Sequence, residues 1–325
     1  QAADGIRDQG DGLVGSEMCI RDSASNVTGS ALAIHEAFAK AGFPEGVFTT
    51  ILPDYDTVAD LIASDLVAGV SLTGSTGVGA RVAELAGRSL KKCVLELGGS
   101  DPFIVLDDCD LDFTVKGAVT GRMLANGQSC IASKRFIVHR AVADEFTTKF
   151  AAAMKALKVG DPSEEGIQVG PVVNAAALEE LEGQIADAVA AGARIECGGT
   201  RLDGPGFFLP PTVVSGVTPA MKLAREEVFG PVAPVIVVDD AEAAVALAND
   251  SEFGLGGSVW TRDLERGESL ARRVESGTLF VNSFTKSDPR MPFGGVKKSG
   301  LGRELSKYGL REFVNVKGIS VYGHG

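Results

Sequence analysis

The sequence predicts an α/β protein built on two mostly parallel sheets. Three observations favour this class. Apolar runs of strand length alternate with segments of helical periodicity, 41 glycines are available for tight turns, and a chain of 325 residues is long enough for about two domains. Because alternating strands and helices form parallel sheets with helices on both faces, two such sheets, rather than one, fit the length.

The first series of predicted helices and strands ends at the acidic residue Glu96. The predicted elements here are a helix at 31–41, a strand at 47–52, a helix at 55–63, a strand at 67–72, a helix at 77–90 and a strand at 93–95. Gly42 ends the first helix, and the strand at 67–72 leads into the turn Gly-Ser-Thr-Gly-Val-Gly at 74–79. Glu96 therefore lies at the end of a strand, followed by two glycines.

The alternation resumes after Glu96. The predicted elements are a strand at 103–106, a helix near 111–124, a strand at 135–139, a helix at 142–157 and further units at 175–191, 232–238, 241–248, 256–260 and 278–281. Alternating apolar residues at 313–321 predict one more strand, exposed at an edge, where it needs a partner.

The first 23 residues differ in character from everything after them. They carry no helical or strand periodicity, and their mixture of Gly, Asp and Arg is absent elsewhere. We interpret residues 11–23 as translated sequencing-adapter read-through and exclude them from the fold prediction. A native disordered tail is the alternative.

The composition excludes several classes of protein. A net charge of −12 disfavours nonspecific nucleic-acid binding, which depends on basic side chains. The sequence has neither an apolar stretch of about 18 residues nor the layout of a signal peptide, so we expect no membrane span and a cytoplasmic protein. Five cysteines without a C-x-x-C pair and three scattered histidines predict neither a disulfide framework nor a metal site.

Four short motifs carry a family resemblance. They are Gly-Ser-Thr-Gly-Val-Gly at 74–79, Glu-Leu-Gly-Gly at 96–99, Gly-Gln-Ser-Cys at 127–130 and Glu-Val-Phe-Gly-Pro at 227–231. Together with the segment 292–304, they resemble, in order and spacing, the NAD(P)-dependent aldehyde dehydrogenase superfamily, and most closely its succinate-semialdehyde dehydrogenase-like members. The resemblance implies two Rossmann-like doubly wound sheets and oxidation of an aldehyde to the carboxylic acid through a cysteine thioester.

Cys130 and Glu96 are the predicted catalytic residues. The turn before Cys130 could place its sulfur at a helix start, where free N–H groups would lower the thiol pKa. A partly desolvated carboxylate at the end of a strand would have a raised pKa and could act as a general base. By resemblance, Cys130 is the nucleophile, Glu96 activates the deacylating water, and the backbone N–H of Cys130 contributes to the oxyanion hole.

The resemblance also implies a dinucleotide cofactor. The helix after the glycine turn can direct N–H groups at a pyrophosphate. Glu227 matches the carboxylate that holds the nicotinamide ribose, and Phe229 the ring that packs on the nicotinamide. Ser25 stands where NAD-preferring members often carry glutamate, which favours NADP over NAD. The predicted cofactor-binding residues are Ser25, Gly74, Ser75, Leu97, Glu227 and Phe229.

Substrate recognition is assigned to the loop before residue 292. Ser287 stands where succinate-semialdehyde dehydrogenases place a serine that binds the substrate carboxylate, and Phe293 would line the substrate tunnel. Lys286 and Arg290 could add positive charge. Many members of that subfamily carry an arginine six residues before the nucleophile, where this chain has Leu124. Succinate semialdehyde is therefore the leading candidate among aldehydes, and ordinary loop residues are the alternative reading.

The resemblance divides the chain into four parts. They are a non-native or disordered segment at 1–23, a partial cofactor domain at 24–97, a catalytic domain at 98–305 and an oligomerisation segment at 306–325 that pairs with another subunit. The resemblance also implies that the chain is N-terminally truncated: the family's upstream segment, which includes an oxyanion-hole asparagine and several strands of the cofactor sheet, is expected to be missing. Two other functions stay open: an inactive fragment that binds nucleotide or partner subunits, and a cofactor-free cysteine hydrolase.

Overall fold

A computed structural model describes residues 19–21 and 27–323 of the chain. The helices are α1 Thr28–Lys40, α2 Tyr55–Ala63, α3 Thr76–Arg88, α4 Leu111–Arg122, α5 Ala143–Lys155, α6 Ala175–Ala190, α7 Lys222–Arg225, α8 Ala241–Asn249, α9 Leu264–Ala271 and α10 Ser306–Glu312. The strands are β1 Cys19–Arg21, β2 Phe48–Thr50, β3 Gly69–Thr73, β4 Lys92–Glu96, β5 Asp101–Val105, β6 Ser133–His139, β7 Arg194–Cys197, β8 Thr212–Ser215, β9 Val232–Val238, β10 Phe253–Gly254, β11 Ser258–Trp260, β12 Phe280–Val281, β13 Val296–Lys297 and β14 Gly300–Leu301.

The larger sheet has the order β12-β11-β5-β6-β9-β8-β7, and all its neighbours are parallel except β7 and β8. Its central strands β5, β6 and β9 are buried along nearly their whole length because helices cover both faces. On one face, the rings of Phe103, Phe136 and Trp260 pack beside Phe146 and Phe150 of α5. This aromatic layer fixes the strands whose N-terminal ends carry the site.

A smaller sheet has the order β14-β4-β3. β3 and β4 are parallel, whereas β14 runs antiparallel to β4 and pairs Gly300 with Glu96. The buried Ser299 precedes β14, and its hydroxyl donates to Gly98 O at 2.6 Å and accepts from Gly254 N at 2.9 Å. The C-terminal part of the chain thus completes the sheet that presents Glu96.

The predicted fold class is confirmed, and most predicted elements agree with the structure to within a few residues. The described part of the chain also contains elements that the prediction lacked, notably β7, β8, α9 and α10. Residues 19–21, which lie in the segment excluded from the fold prediction, form a strand parallel to β2. None of the helices in the described ranges has the length and apolarity to cross a bilayer.

The strand predicted at 313–321, whose predicted partner is another subunit, is not formed within the single chain. Residues 314–323 follow α10 without helix or strand, and their apolar side chains face solvent, with Val316 92% and Val321 88% exposed. A strand requires a ladder of backbone hydrogen bonds, and no neighbour in the described chain supplies one. The apolar residues at 313–321 therefore alternate as in a strand, but the single chain forms no sheet that includes them.

Candidate active site

Cys130 lies in a turn between α4 and β6. A 3-10 turn, Leu124–Gly127, follows α4, and Ala125 and Asn126 adopt positive φ angles of 47° and 58°. Gly127 is required at φ 76° because a Cβ there would lie 2.1 Å from Gly230 O. This compact turn leaves the Cys130 side chain partly exposed just before the buried strand.

The predicted helix start at Cys130 is wrong. The turn continues to residue 132 and leads into β6 rather than a helix, so no helix begins at the thiol. Burial raises the pKa of Cys130, and the nearby ammonium of Lys134 opposes that rise. Sequence reasoning failed here because apolar Ile131 and Ala132 suit the beginning of a helix or of a strand equally well.

Lys134 is buried beneath this turn. Its Nζ donates to Ser129 O and Cys130 O, both at 2.9 Å, and to Ala132 O at 3.3 Å. It also lies 3.4 Å from Oε1 of Glu227. Burial lowers the pKa of Lys134, whereas the Glu227 carboxylate raises it.

Glu96 ends β4 with its carboxyl group buried. The residue is 3% exposed, and neither Oε1 nor Oε2 has a hydrogen-bond partner. Burial, followed by repulsion from Glu304, raises the pKa of Glu96 to about 8, and Arg303 opposes the shift. Burial thus favours the raised pKa predicted for Glu96, and the ionised, unpartnered carboxylate is able to accept a proton from water.

Two glycines join Glu96 to the other site residues. A Cβ at Gly98 would lie 2.4 Å from Oε2 of Glu227, and a Cβ at Gly99 would lie 2.6 Å from Cys130 O. The Gly99 N–H donates to Oε1 of Glu227 at 3.0 Å. Side chains at 98 or 99 would separate these groups, so the double glycine brings together Glu96, Glu227 and the turn at 124–130 that carries Cys130 (the thiol turn).

Arg122 fixes the loop that carries Glu227 and Phe229. Its guanidinium is fully buried, and Nη2 donates to Gly127 O at 2.7 Å and to Val228 O at 3.3 Å. The Glu227 side chain keeps 22% of its surface exposed, and Phe229 is 43% exposed. The carboxylate and the ring are therefore open to a ligand next to the thiol turn.

The glycine turn lies beside the base. Gly74 N donates to Glu96 O at 3.0 Å, and Ser75 caps α3 by accepting from Val78 N. Leu97 packs on α3, where a Cβ at Gly79 would lie 2.4 Å from its side chain. Predicted residues 74, 75 and 97 thus share one edge of the small sheet with Glu96. Ser25 lies outside the described residues.

The predicted substrate residues differ in their surroundings. Phe293 is half-buried and pairs through its backbone with Glu304, while a Cβ at its neighbour Gly294 would lie 2.7 Å from Oε1 of Glu96. Ser287 is exposed, and no described hydrogen bond joins it to the thiol turn. The charge of Arg290 is paired with Asp288 through two hydrogen bonds, which hold the pKa of Asp288 well below its usual range.

Four buried charged residues near the site escaped the sequence analysis: Arg122, Lys134, Asp101 and Arg135. Asp101 accepts from Gly256 N at 2.9 Å, and Arg135 donates to the carbonyl groups of Ser100, Leu247 and Ala248. The available signal was the pair Lys134-Arg135, which stands between the cysteine and an apolar strand. Charges at that place suggest burial with partners rather than a surface.

The chain belongs to the aldehyde dehydrogenase family, whose model matches residues 13–319. It is 50% identical over 307 residues to a probable succinate-semialdehyde dehydrogenase [NADP(+)] of Synechocystis sp., covering 94% of this chain and 68% of that protein. It is 48% identical to the succinate-semialdehyde dehydrogenase [NADP(+)] of Mycobacterium avium, with 94% and 65% covered. The chain thus spans about two thirds of the length of these curated relatives.

Solved structures agree with this family. The succinic semialdehyde dehydrogenase of Streptococcus pyogenes, solved in complex with NADP+, superposes with a TM-score of 0.92 at 40% identity, covering 94% of this chain and 67% of that one. The predicted family and the two-sheet fold class are confirmed. Membership also disfavours the cofactor-free hydrolase.

Proposed function

We propose that this protein oxidises succinate semialdehyde to succinate with NADP+, using Cys130 as nucleophile and Glu96 as general base. The observation that carries the proposal is the buried, unpartnered carboxyl group of Glu96, held beside the Cys130 turn by Gly98 and Gly99. A carboxyl group without a hydrogen-bond partner is costly to bury, and catalysis is the common reason for such a cost.

The described residues fit a nicotinamide dinucleotide. Phe229 and Val78 expose apolar surface, Glu227 keeps an accessible carboxylate, and a Cβ at Gly77 in the first turn of α3 would meet nothing within 4 Å. Open N–H groups at that helix start suit a pyrophosphate, and Glu227 suits ribose hydroxyls. When bound, the nicotinamide supplies the hydride acceptor.

The residues of the chain account for the other steps. The Cys130 thiolate attacks the aldehyde carbon and forms a C–S bond, and departure of hydride leaves a thioester on Cys130. Glu96 then accepts a proton from water as the water oxygen attacks the thioester. The C–S bond breaks, the acid leaves, and the thiolate is regenerated. Glu96 acts only in its ionised form, so deacylation should quicken as the pH rises through about 8.

The cofactor and substrate assignments rest on the relatives and on the loop before Phe293. The matched proteins are named for succinate semialdehyde and NADP(+). Ser287 offers an exposed hydroxyl for the substrate carboxylate, whereas Arg290 is already paired with Asp288. Ser287, rather than Arg290, is therefore the proposed specificity residue, and Phe293 the proposed tunnel wall.

We also propose that the segment after α10 pairs with a second copy of the chain in the cytoplasm. Val316, Ile319 and Val321 are 92%, 72% and 88% exposed, which is a large apolar area for a single chain. Addition of this segment to a partner's sheet would supply its missing ladder. The unpaired cysteines of the described chain suit a reducing compartment.

Trapping the thioester tests the catalytic proposal. Purified protein is mixed with NADP+ and succinate semialdehyde, reduced cofactor is followed by absorbance, and acid-quenched samples are analysed by mass spectrometry. Glu96→Gln should give one rapid equivalent of reduced cofactor and a succinyl group on Cys130, followed by slow turnover. Cys130→Ser should give neither, and Glu180→Gln, at an exposed position on α6, should behave as the unmodified protein. Full turnover by the Glu96→Gln protein would refute the role of Glu96.

A further inference from the structure

Two buried cations join the thiol turn to the loop that carries Glu227. Arg122 donates to Gly127 O and Val228 O, so it bridges the two loops through backbone carbonyl groups alone. Lys134 donates to three carbonyl groups of the thiol turn and lies 3.4 Å from the Glu227 carboxylate. Of these two cations, Lys134 contacts both the thiol turn and the carboxylate of Glu227.

We propose that Lys134 is a positioning residue for the reaction: its ammonium group fixes the Cys130 turn and supplies a positive charge that the Cys130 thiolate and the Glu227 carboxylate share. This inference rests on the proposed function only for the role of Cys130 as nucleophile. It adds an electrostatic residue that touches neither the substrate nor the reacting atoms.

A neutral donor would satisfy carbonyl groups at lower cost. Burying an ammonium group in a protein interior is expensive unless opposite charge compensates it. The Glu227 carboxylate gives part of that compensation, but it also accepts from Gly99 N and keeps a solvent-exposed flank. A thiolate four residues away on the same turn is a second group that the ammonium can compensate.

The other charged groups around the thiol strengthen this argument. Burial raises the pKa of Cys130, and so do three carboxylates: Asp101 on β5, Glu227 in the loop before β9, and Glu96 on β4. The ammonium group of Lys134 lowers that pKa. Arg122 on α4 faces Lys134 and lowers the pKa of that lysine. Among these groups Lys134 opposes three carboxylates, so removing its charge should raise the pKa of the Cys130 thiol further.

The pH dependence of Cys130 alkylation tests the proposal without cofactor, substrate or turnover. The purified protein is treated with iodoacetamide over a pH series, and the rate at Cys130 is read by peptide mass spectrometry. Lys134→Gln, which keeps donors for the carbonyl groups, should move the midpoint up by about one pH unit or more. Glu227→Gln should move it down, because the ammonium group is then shared with one carboxylate fewer.

The double variant and a matched control separate charge from structure. Glu227→Gln should lower the alkylation midpoint less in the Lys134→Gln background than in the unmodified protein. Without the Lys134 ammonium group, Cys130 and residue 227 no longer share a positive charge. Lys149→Gln changes the same charge at a distant surface position and should leave the midpoint unchanged.

Circular dichroism establishes which variants fold. A folded Lys134→Gln protein with an unchanged midpoint would overturn the proposal, as would equal effects of Glu227→Gln in both backgrounds. If Lys134→Gln does not fold, the Glu227→Gln protein alone tests the proposal. An unchanged or raised midpoint of Cys130 alkylation in that protein would overturn it. Because alkylation does not depend on turnover, an inactive protein with the expected shifts would refute the proposed function and leave this inference standing.

Discussion

The N–H of Gly99 donates a 3.0 Å hydrogen bond to Oε1 of Glu227, although 128 positions separate the two residues. Gly99 also lies against the Cys130 carbonyl group, and three residues earlier the chain carries Glu96. One short segment therefore contacts both the thiol turn and the proposed cofactor loop. Changes in this segment should disturb the nucleophile, the base and Glu227 together.

A methyl group at Gly99 should demonstrate this crowding. Gly99→Ala places a Cβ 2.6 Å from Cys130 O, and a backbone atom cannot yield as a flexible side chain can. We expect unfolding in urea to show a loss of about 1–3 kcal/mol. Gly87→Ala is the matched control, since α3 has open space there and helix propensity should stabilise it by about 0.5–1 kcal/mol. Equal stability of the Gly99→Ala protein would show that the turn can move.

Ionisation of Glu96 should reduce stability as the pH rises. Its pKa increases from the ordinary 4.5 to about 8 in the folded chain. Between these values the folded state binds more protons than the unfolded state, so the free energy of unfolding falls with rising pH. Glu96→Gln cannot ionise. It should therefore be more stable than the unmodified protein by up to about 5 kcal/mol above pH 8, with little difference near pH 5.

Urea titrations at the two pH values measure this difference. Glu180→Gln, on the exposed surface of α6, should show no such pH-dependent gain. A Glu96→Gln protein whose stability relative to the unmodified protein is the same at both pH values would show that Glu96 ionises normally.

Cys130 should be alkylated before Cys109 and Cys197, the two cysteines in the core of the large sheet. It is partly exposed, whereas Cys109 and Cys197 are buried in the core of the large sheet, where burial raises the pKa of both. Limited iodoacetamide treatment followed by peptide mapping should find the label at Cys130 before the other two. Cys130→Ser should abolish the rapid phase. Faster labelling of Cys109 or Cys197 would contradict the assignment of the nucleophile.

Ser287 should matter for carboxylated aldehydes only. Ser287→Ala removes a hydroxyl that can bind the carboxylate, so KM for succinate semialdehyde should rise about tenfold while KM for butanal stays constant. Arg290→Gln should change either KM by less than about twofold, because the guanidinium is already paired with Asp288 and is 86% exposed. Equal effects of Ser287→Ala on both substrates would indicate an ordinary loop residue.

The sequence predicted the parts of the site that short motifs encode. Glu96 and Cys130 each stand beside glycines that a folded turn requires, and those glycines are visible in the sequence. Lys134 and Arg122 could not be predicted in this way, because charged residues usually lie at surfaces and their partners here are backbone carbonyl groups. Every residue has a backbone carbonyl group, so the sequence does not show which of them accept hydrogen bonds from a buried side chain.

Two differences between the predicted elements and the single chain also have physical causes. The position of Cys130 before a strand depends on β6 joining the centre of the large sheet, which is a long-range contact. The strand predicted at 313–321 needs hydrogen-bond partners that the described single chain does not provide. Local periodicity predicts which face of an element is apolar, whereas neighbours decide whether the element forms.

The hydroxyl of Ser299 binds Gly98 O across 201 positions, and β14 then pairs with β4 next to Glu96. A ribosome that has translated only as far as β13 has therefore already exposed the thiol, the base and Glu227 to the cell without closing the strand that orders the base. Contacts this distant in sequence form late, after most of the chain has collapsed. The strand beside Glu96 is thus completed only at the end of synthesis, and a nascent chain interrupted before residue 301 lacks the pairing of Gly300 and Leu301 with β4.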